Sequence, residues 1–598
     1  MKRKTALLEV SYEVANKVGG IHTVLVSKMT RIMKSVSDYY VIGPYIEGSA
    51  QTEFEPMNCQ PQMKSVFDRL QAEHGIICHY GRWLVEERPK AILVEPGSVR
   101  GRINGIKAEL WKEYRIDSLR ADSFYDDPLV WSRAVGIVID EMVKAGIFKD
   151  SAIAHFHEWL TGAGLLYLKS RKTKAGTVFT THSTVLGRAI AEAGREDLYG
   201  MINRGLGRNE SVPEAKSAEY GVQAKHTMER ACAENADVFT SVSEIIAREC
   251  KFMLGKAPDV ILPNGLDMGR FPLMEDLSNM HISYRNHIRL FVMSYFSPYY
   301  NIDARNTIFY FISGRYEMRN KGIDVFIDAL GALNERLKAL GKKKNVVAFI
   351  WIPAYTKERK PTVMEHLALF ENMESMVEKE TKKIEKRIIG LFAEGKMPTE
   401  TKVMDRDFLY DMKKMWLQFK ASGGSPPLTP FEMEGENSII AALKRNGLLN
   451  RKEDAVKVIY YPAYLSRVDG MLSMNYYDAI IGCHLGVFPS YYESWGYTPL
   501  ETAALGLPAV TTDLSGFGRY IKRHVMEGDM SISILHRDGA EYGNVVKELE
   551  DVMLKFYMMT KKQRIQWKIK AKQMSMLADW KFLIRNYIRA YDLALNKT

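Results

Sequence analysis

The first strongly patterned stretch, residues 6–10 (ALLEV), is mostly apolar, and after the turn Lys17-Val18-Gly19-Gly20 apolar positions recur at helical spacing over residues 21–32. A short apolar run reads as a buried strand and a period near 3.6 as an amphipathic helix, so the order is strand, glycine turn, helix. The alternation continues with strands at 91–94, 176–180 and 238–242 and helices at 131–144 and 225–236. Such alternation implies a parallel sheet with helices on both faces. The pattern then restarts, with strands at 307–312, 346–352, 485–488 and 509–511 and helices at 322–340 and 499–505.

Two doubly wound domains follow, with a break near 263–276. Residues 1–270 form the first, 271–560 the second, and 561–598 a pair of C-terminal helical segments expected to pack back on the first domain. A long insertion, about 356–454, interrupts the second domain. Its part at 363–392 is helical and dense in Glu and Lys, which suits either an arm for self-association or a solvated helix that touches nothing. The stretch 561–595 reads as helix. Its first half is basic (Lys561, Lys562, Arg564, Lys568, Lys570, Lys572), and Trp580, Phe582, Leu583, Tyr587 and Tyr591 are spaced to bury one face of its second half.

With 598 residues, 46% of them hydrophobic, the chain exceeds one ordinary core, and the 26% of charged residues are mixed in sign as in a globular protein. The net charge of +11 comes from scattered Lys and Arg without a zinc-finger, RNP or basic-zipper pattern, so it argues for no nucleic-acid partner. Anionic small molecules suit it equally. Cys59, Cys78, Cys232, Cys250 and Cys483 are far apart with no C-x-x-C pair, which indicates neither zinc nor a disulfide framework and fits a reducing cytoplasm. The basic start at 1–4 leads into only a short apolar stretch interrupted by Glu9, so no signal peptide is expected, and no apolar run reaches membrane-spanning length.

Candidate chemistry gathers at two turns. Lys17, Gly19 and Gly20 sit where a strand gives way to a helix, so free backbone N–H groups and the helix dipole favour an anion there, although an ordinary tight turn is an equal reading. In the segment FPSYYESWGYTPLE (488–501), Thr498 and Pro499 read as N-cap and first residue of a helix, holding Glu493 just before a positive helix end. Glu501, three residues after Thr498, could be a capping-box partner instead of a site residue. Trp495 and Gly496 separate the two carboxylates.

Together with HEW (His157 to Trp159), TTHSTVLGR (180–188), LPNG (262–265), SGRYEMRNKG (313–322) and GCHLGVFPSYYESWGYTPLE (482–501), these phrases resemble the eukaryotic-type glycogen synthase family from residue 7 to about 591. The resemblance implies an α/β chain of GT-B architecture, two Rossmann-like domains with the active site between them. It implies transfer of glucose from UDP-glucose to the non-reducing end of an α-1,4-glucan such as glycogen, with retention, no metal and no other cofactor. A cytoplasmic homo-oligomer, a tetramer assembled through the helical insertion, is the accompanying expectation. Without a metal, charge on the departing β-phosphate must be met by protein cations.

Arg315 and Lys321 match the family's phosphate-binding pair, Glu493 the carboxylate facing the donor sugar, and His182 the histidine that reaches the donor glucose. Arg188, Asn264 and His157 match cleft positions, although His157 could equally be a satisfied core histidine. Tyr476, or Tyr477 beside it, matches the tyrosine that stacks on uracil. Trp495, Gly496, Tyr497 and Thr498 complete the donor-side loop. Asp405-Arg406-Asp407 imitates a metal-binding D-x-D but reads as exposed charge on an inserted helix.

Arg564, Lys568 and Lys570 match a regulatory, arginine-rich helix that answers to glucose 6-phosphate, but lysines and Gln573 replace most of its arginines, so regulation is not expected even where weak anion binding survives. The chain ends at Thr598 without a serine-rich tail, so kinase control is not expected. Whether Glu493 acts as nucleophile or stabilises front-face attack is open at this level, as are an ADP-glucose-using relative and a silent glucan-binding protein.

Overall fold

The computed structural model describes residues 5–17, 19–149, 151–341, 344–420, 423–526 and 530–597; the basic start at 1–4 and Val18 of the glycine turn lie outside them. The first half contributes strands β1 (Thr5–Val10), β2 (Asp38–Pro44), β3 (Phe54–Pro56), β4 (Ile77–Trp83), β5 (Lys90–Glu95), β6 (Ser151–His157), β7 (Gly176–Thr181), β8 (Val238–Ser241) and β9 (Val260–Ile261). They form one sheet in the order β3-β4-β5-β2-β1-β6-β7-β8-β9. Only its margin, β3-β4-β5, is antiparallel. The sequence pattern does not mark β6. SAIAHFH has small and ambivalent residues where a strand signal wants branched ones, yet it is buried from Ala152 to His157.

The second half adds β10 (Ile308–Ser313), β11 (Val346–Trp351), a two-stranded ribbon of β12 (Thr356–Arg359) and β13 (Phe431–Met433), then β14 (Val456–Tyr460), β15 (Leu485–Val487), β16 (Ala509–Thr512) and β17 (Ile532–Leu535). The main sheet is parallel throughout, in the order β14-β11-β10-β15-β16-β17. Every residue of β10 is buried, as a parallel strand covered on both faces requires. Both sheets reverse direction beside their first strand, β1 next to β6 and β10 next to β15. A crevice opens at the carboxyl ends of such strands, and loops there become the binding site.

The C-terminal stretch is not one helix. Lys561–Ser575 packs on Tyr497–Ala504 of the second domain. A 3-10 turn, Met576–Ala578, breaks it, and Trp580–Asn596 then lies over β6 to β9 and against the helix Gly20–Met33. Asp579 caps the second helix by accepting from Lys581 N–H at 2.8 Å, and the break also has a cause outside the segment. The N–H of Leu266 donates to Ala578 O (3.0 Å) and that of Trp580 to Leu266 O (3.1 Å), so the inter-domain linker captures the turn. Trp580, Leu583, Tyr587 and Tyr591 are buried, whereas Phe582 is 48% exposed and does not belong to the buried face.

The insertion is anchored, not a helix that touches nothing. Pro361–Ala393 packs against Met274–Phe296 and Arg406–Phe419, and Arg387 ties Glu380, Val403 O and Asp405 together. Asp405 caps its helix by accepting from Asp407 N–H. Among the described residues no helix is long and apolar enough to cross a membrane.

Trp580 is fully buried, donates from Nε1 to Ser27 Oγ at 2.8 Å and meets Tyr587 edge-on. Trp580→Ala should therefore cost about 3–5 kcal/mol. The loss is expected in denaturant unfolding of the first domain, with Trp580→Phe recovering most of it; an unchanged transition would contradict the docking.

Candidate active site

At the second sheet's switch point two loops meet. The loop after β10 carries Arg315 and Lys321 into the helix Ile323–Ala339, and the loop after β15 carries Glu493 toward the helix Tyr497–Ala504. The backbone oxygen of Asn320 accepts from Tyr491 N–H (3.0 Å) and Tyr492 N–H (3.2 Å). Gly322 caps the first helix at φ 68°, and a Cβ there would lie 2.0 Å from Pro489 O, so only glycine permits this approach. The result is an ion pair between Lys321 Nζ and Glu493 Oε2 at 2.6 Å, with side chains 17% and 18% exposed.

The donor-side helix starts earlier than its sequence suggests. Its N-cap is Gly496, at φ 111°, and Tyr497 is its first residue, so Thr498 and Pro499 lie inside the first turn. No side chain among the described residues caps this end, and Glu501 is not a capping-box partner. It is buried, accepts from Tyr477 Oη at 2.8 Å, and burial pushes its carboxyl up to about 7 against the pull of Tyr477 and Lys17. Trp495 is buried against Phe517 and Tyr520 and shapes the loop from below. Tyr476 begins the helix Tyr476–Gly482 and shares a hydrogen bond with Ser313 Oγ at 2.9 Å, while Tyr477 is 41% exposed.

The first domain meets this site with carboxylates to which the sequence motifs assign no role. Glu13 accepts from Gly19 N–H (3.0 Å) and His22 N–H (2.8 Å), so the anion slot of the glycine turn holds the chain's own carboxylate, and Lys17, Gly19 and Gly20 are left exposed around it. Glu158 follows β6 at φ 67°, ψ 165°, a region nearly restricted to glycine and costing roughly 1–3 kcal/mol. Its carboxylate receives His182 N–H (2.8 Å) and Ser183 N–H (3.3 Å). Glu249 takes Thr184 N–H and its hydroxyl, and Glu229 takes Val185 N–H. Three buried carboxylates thus hold the start of the helix Val185–Ala193, where the dipole favours negative charge. Burial raises all three, Glu249 to about 7.

The two domains touch here. Tyr492 Oη donates to Glu249 Oε1 at 2.7 Å and Tyr497 Oη to Gly265 O at 3.3 Å. Glu317 joins Arg188 of the first domain (2.9 Å) to Arg315 of the second (3.2 Å). Burial works against the Glu317 carboxylate, but Arg315, Arg188 and Lys321 outweigh it and hold it below the usual range. Asn264 is buried on the linker side, its amide oxygen without a hydrogen-bond partner among the described residues. His182 is buried and His157 lies deeper, with both ring nitrogens engaged by Glu9 and His182; His157 thus reaches the cleft only through His182.

A second cationic cluster lies apart from the cleft. Lys568 is pushed down to about 6 by burial and by Arg285 and Arg564, and His281 and His484 feel the same charges. Arg285, from the helix Met274–Phe296, is a member that the basic C-terminal segment alone does not reveal.

A family profile described as Glycogen synthase matches residues 9–598. The chain is 35% identical over 615 residues to glycogen [starch] synthase isoform 2 of Saccharomyces cerevisiae, covering 99% of this chain and 86% of that one. It is 35% identical over 597 residues to the liver glycogen [starch] synthase of Rattus norvegicus, covering 99% and 83%. Among solved structures it is similar to the catalytic domain of starch synthase IV from Arabidopsis thaliana bound to ADP and acarbose, with TM-score 0.52, 12% identity and 99% of both chains covered. At that identity the likeness shows the fold alone, which is GT-B.

Glu501 ionises near 7 when folded against an ordinary value of 4.5, so the stability it contributes is present at low pH and is lost as pH rises between those values. Glu501→Gln should gain on the parent from pH 5 to pH 8, by up to roughly 3 kcal/mol. Paired urea midpoints at the two pH values check this, and a pH-independent gap would refute it.

Proposed function

The chain belongs to the glycogen synthase family, and from that membership we propose that its cleft transfers glucose from UDP-glucose to the non-reducing end of an α-1,4-glucan with retention of configuration. The chain is a glycosyltransferase. The observation that carries the finer reading is the Lys321–Glu493 pair at the switch point of the second sheet.

Transfer makes the donor sugar cationic and its leaving phosphate more anionic. Fixed charges that already point at those positions lower the barrier because they need no reorganisation. Lys321 is oriented in advance by Glu493, and Arg315, 61% exposed at the rim, stands beside Glu317. They supply the positive charge that the β-phosphate requires, and on this reading no metal is needed. Glu493 faces the sugar as an anion whose charge is shared with an ammonium at 2.6 Å. Such a carboxylate is a poor nucleophile but a good electrostatic partner, which favours front-face attack by the acceptor hydroxyl, with the departing phosphate as base.

Self-association through the insertion is part of the reading. Val377, Ile389, Phe392, Leu409, Trp416 and Leu417 are large apolar side chains left exposed on its helices. A cytoplasmic setting fits five free cysteines. The separate cluster of Arg285, Arg564 and Lys568, with Lys570 on the same helix, supports a phosphate-ester site that the loss of arginines does not abolish.

Glu493→Ala should keep UDP affinity within a few-fold and lower turnover on glycogen by on the order of a thousandfold or more; near-normal turnover would end the reading, and parallel assays with ADP-glucose test the donor. EDTA should leave activity intact, whereas loss restored by Mg²⁺ or Mn²⁺ would revive a metal. Glucose 6-phosphate should stimulate the parent and act at least tenfold more weakly on Lys568→Ala; equal responses would remove the anion site.

A further inference from the structure

A polar row crosses the face of the first sheet that the C-terminal helix covers. Glu9 on β1 is in register with His155 on β6, and His157 with Thr180 on β7. Alternate residues of a strand share a face, so Glu9, His155, His157 and Thr180 line up, with His182 two positions beyond Thr180. Glu9 and His157 are in contact through Oε1 and Nε2 at 2.8 Å, and His157 Nδ1 meets His182 Nε2 at 2.9 Å. The same carboxylate pairs with Lys28 from the helix Gly20–Met33 and accepts from Tyr39 Oη. His155 is occupied separately, by Tyr591 Oη (3.0 Å) and Thr180 Oγ1 (2.6 Å).

Glu9, His155 and His157 could by spacing hold a metal ion. The ammonium of Lys28 already sits on the shared carboxylate oxygen, so the trio has its cation. A buried ion pair adds little stability over an apolar pair of the same size. What it does set here is where protons go.

The count is forced. An ionised carboxylate only accepts, so His157 must carry its proton on Nε2. A neutral His157 then offers a bare Nδ1, and His182 must donate to it from Nε2–H. A neutral His182 is left with a bare Nδ1, which has no hydrogen-bond partner among the described residues. Burial, aided by Lys28, keeps both rings uncharged, and His182 is driven down to about 3. Burial would raise Glu9, but Lys28 and His155, with the Lys28 and Tyr39 hydrogen bonds, hold it down as the anion the count requires.

We propose that Glu9 is a positioning residue for the transfer reaction: through His157 it fixes the tautomer and orientation of His182, so that Nδ1 of His182 accepts a hydrogen bond from a hydroxyl of the donor sugar. This rests on the reading that His182 faces the donor glucose in the cleft with Glu493.

The test uses the full chain with UDP-glucose, UDP and a set of UDP-glucose analogues each lacking one sugar hydroxyl. Glu9→Gln should lower kcat/KM for UDP-glucose by about 10–100-fold, the range typical of lost orienting partners. Inhibition by UDP, which has no sugar, should stay within twofold. One deoxy donor should cost the parent a similar factor and cost the variant almost nothing more, the signature of a coupled pair. Since Glu9→Gln leaves Lys28 buried without its counter-charge, His157→Leu, which keeps the Glu9–Lys28 pair, is measured beside it with the same expectation. A folded variant with kcat/KM within twofold of the parent, a parallel loss of UDP affinity, or independent losses for every deoxy donor would overturn the relay. If the parent itself fails to turn over UDP-glucose, the functional reading fails instead, and the two failures are thereby told apart.

Discussion

Gly322 has no room for a side chain, because the carbonyl of Pro489 lies where its Cβ would be. That approach brings the loop after β10 and the loop after β15 together. With Asn320 O bonded to the N–H groups of Tyr491 and Tyr492, the seam is rigid on both sides of the Lys321–Glu493 pair. The geometry follows from strand order: β10 and β15 are neighbours whose connections leave in opposite directions, so their carboxyl ends must enclose a crevice. The chain places its oppositely charged pair at that crevice.

The seam also governs how the domains meet. Tyr492 turns away from Glu493 and reaches Glu249, which in turn holds Thr184 beside His182. A displacement of the Glu493 loop is therefore felt at the loop that carries His182, through side chains in contact. The Arg188–Glu317 pair is different. Its arginine is 36% exposed, and pairs of that kind contribute at most about 1 kcal/mol. The C-terminal helix, with Trp580, Tyr587 and Tyr591 buried on the first domain, is held far more firmly.

Much of this could be read from the residues. Long apolar runs such as Ile308–Ser313 and Val346–Trp351 announce buried parallel strands, and the strand limits agree within a residue or two. Arg315, Lys321 and Glu493 fall on the loops where the pattern puts them. What stayed hidden depends on partners far away in sequence. β6 carries a single branched residue, Ile153, among alanines and histidines, and the histidines serve the sheet's polar row. The 561–595 stretch looks like one helix because its break combines a single local signal, the N-cap Asp579, with the distant Leu266, some 300 residues earlier. The glycine turn advertises an anion site, but nothing local says that Glu13 fills it. Glu158 and Glu317 stand inside phrases that were recognised, yet a carboxylate's partners cannot be inferred from its neighbours in sequence.

The concentration of buried carboxylates around the cleft has a physical logic. Glu158, Glu229, Glu249 and Glu501 are all raised by burial even with their hydrogen bonds made, so ionising each one costs stability as pH rises. Part of the compensation is backbone N–H groups and the helix end at Val185, and those bonds also immobilise residues 181–185. A loop fixed by hydrogen bonds to buried carboxyl groups needs no reorganisation when substrate charge develops beside it. The strained backbone of Glu158 belongs to the same account. Glycine would relax φ 67° but would release the amides of His182 and Ser183, so the strain persists because removing it would loosen the loop on which the site depends.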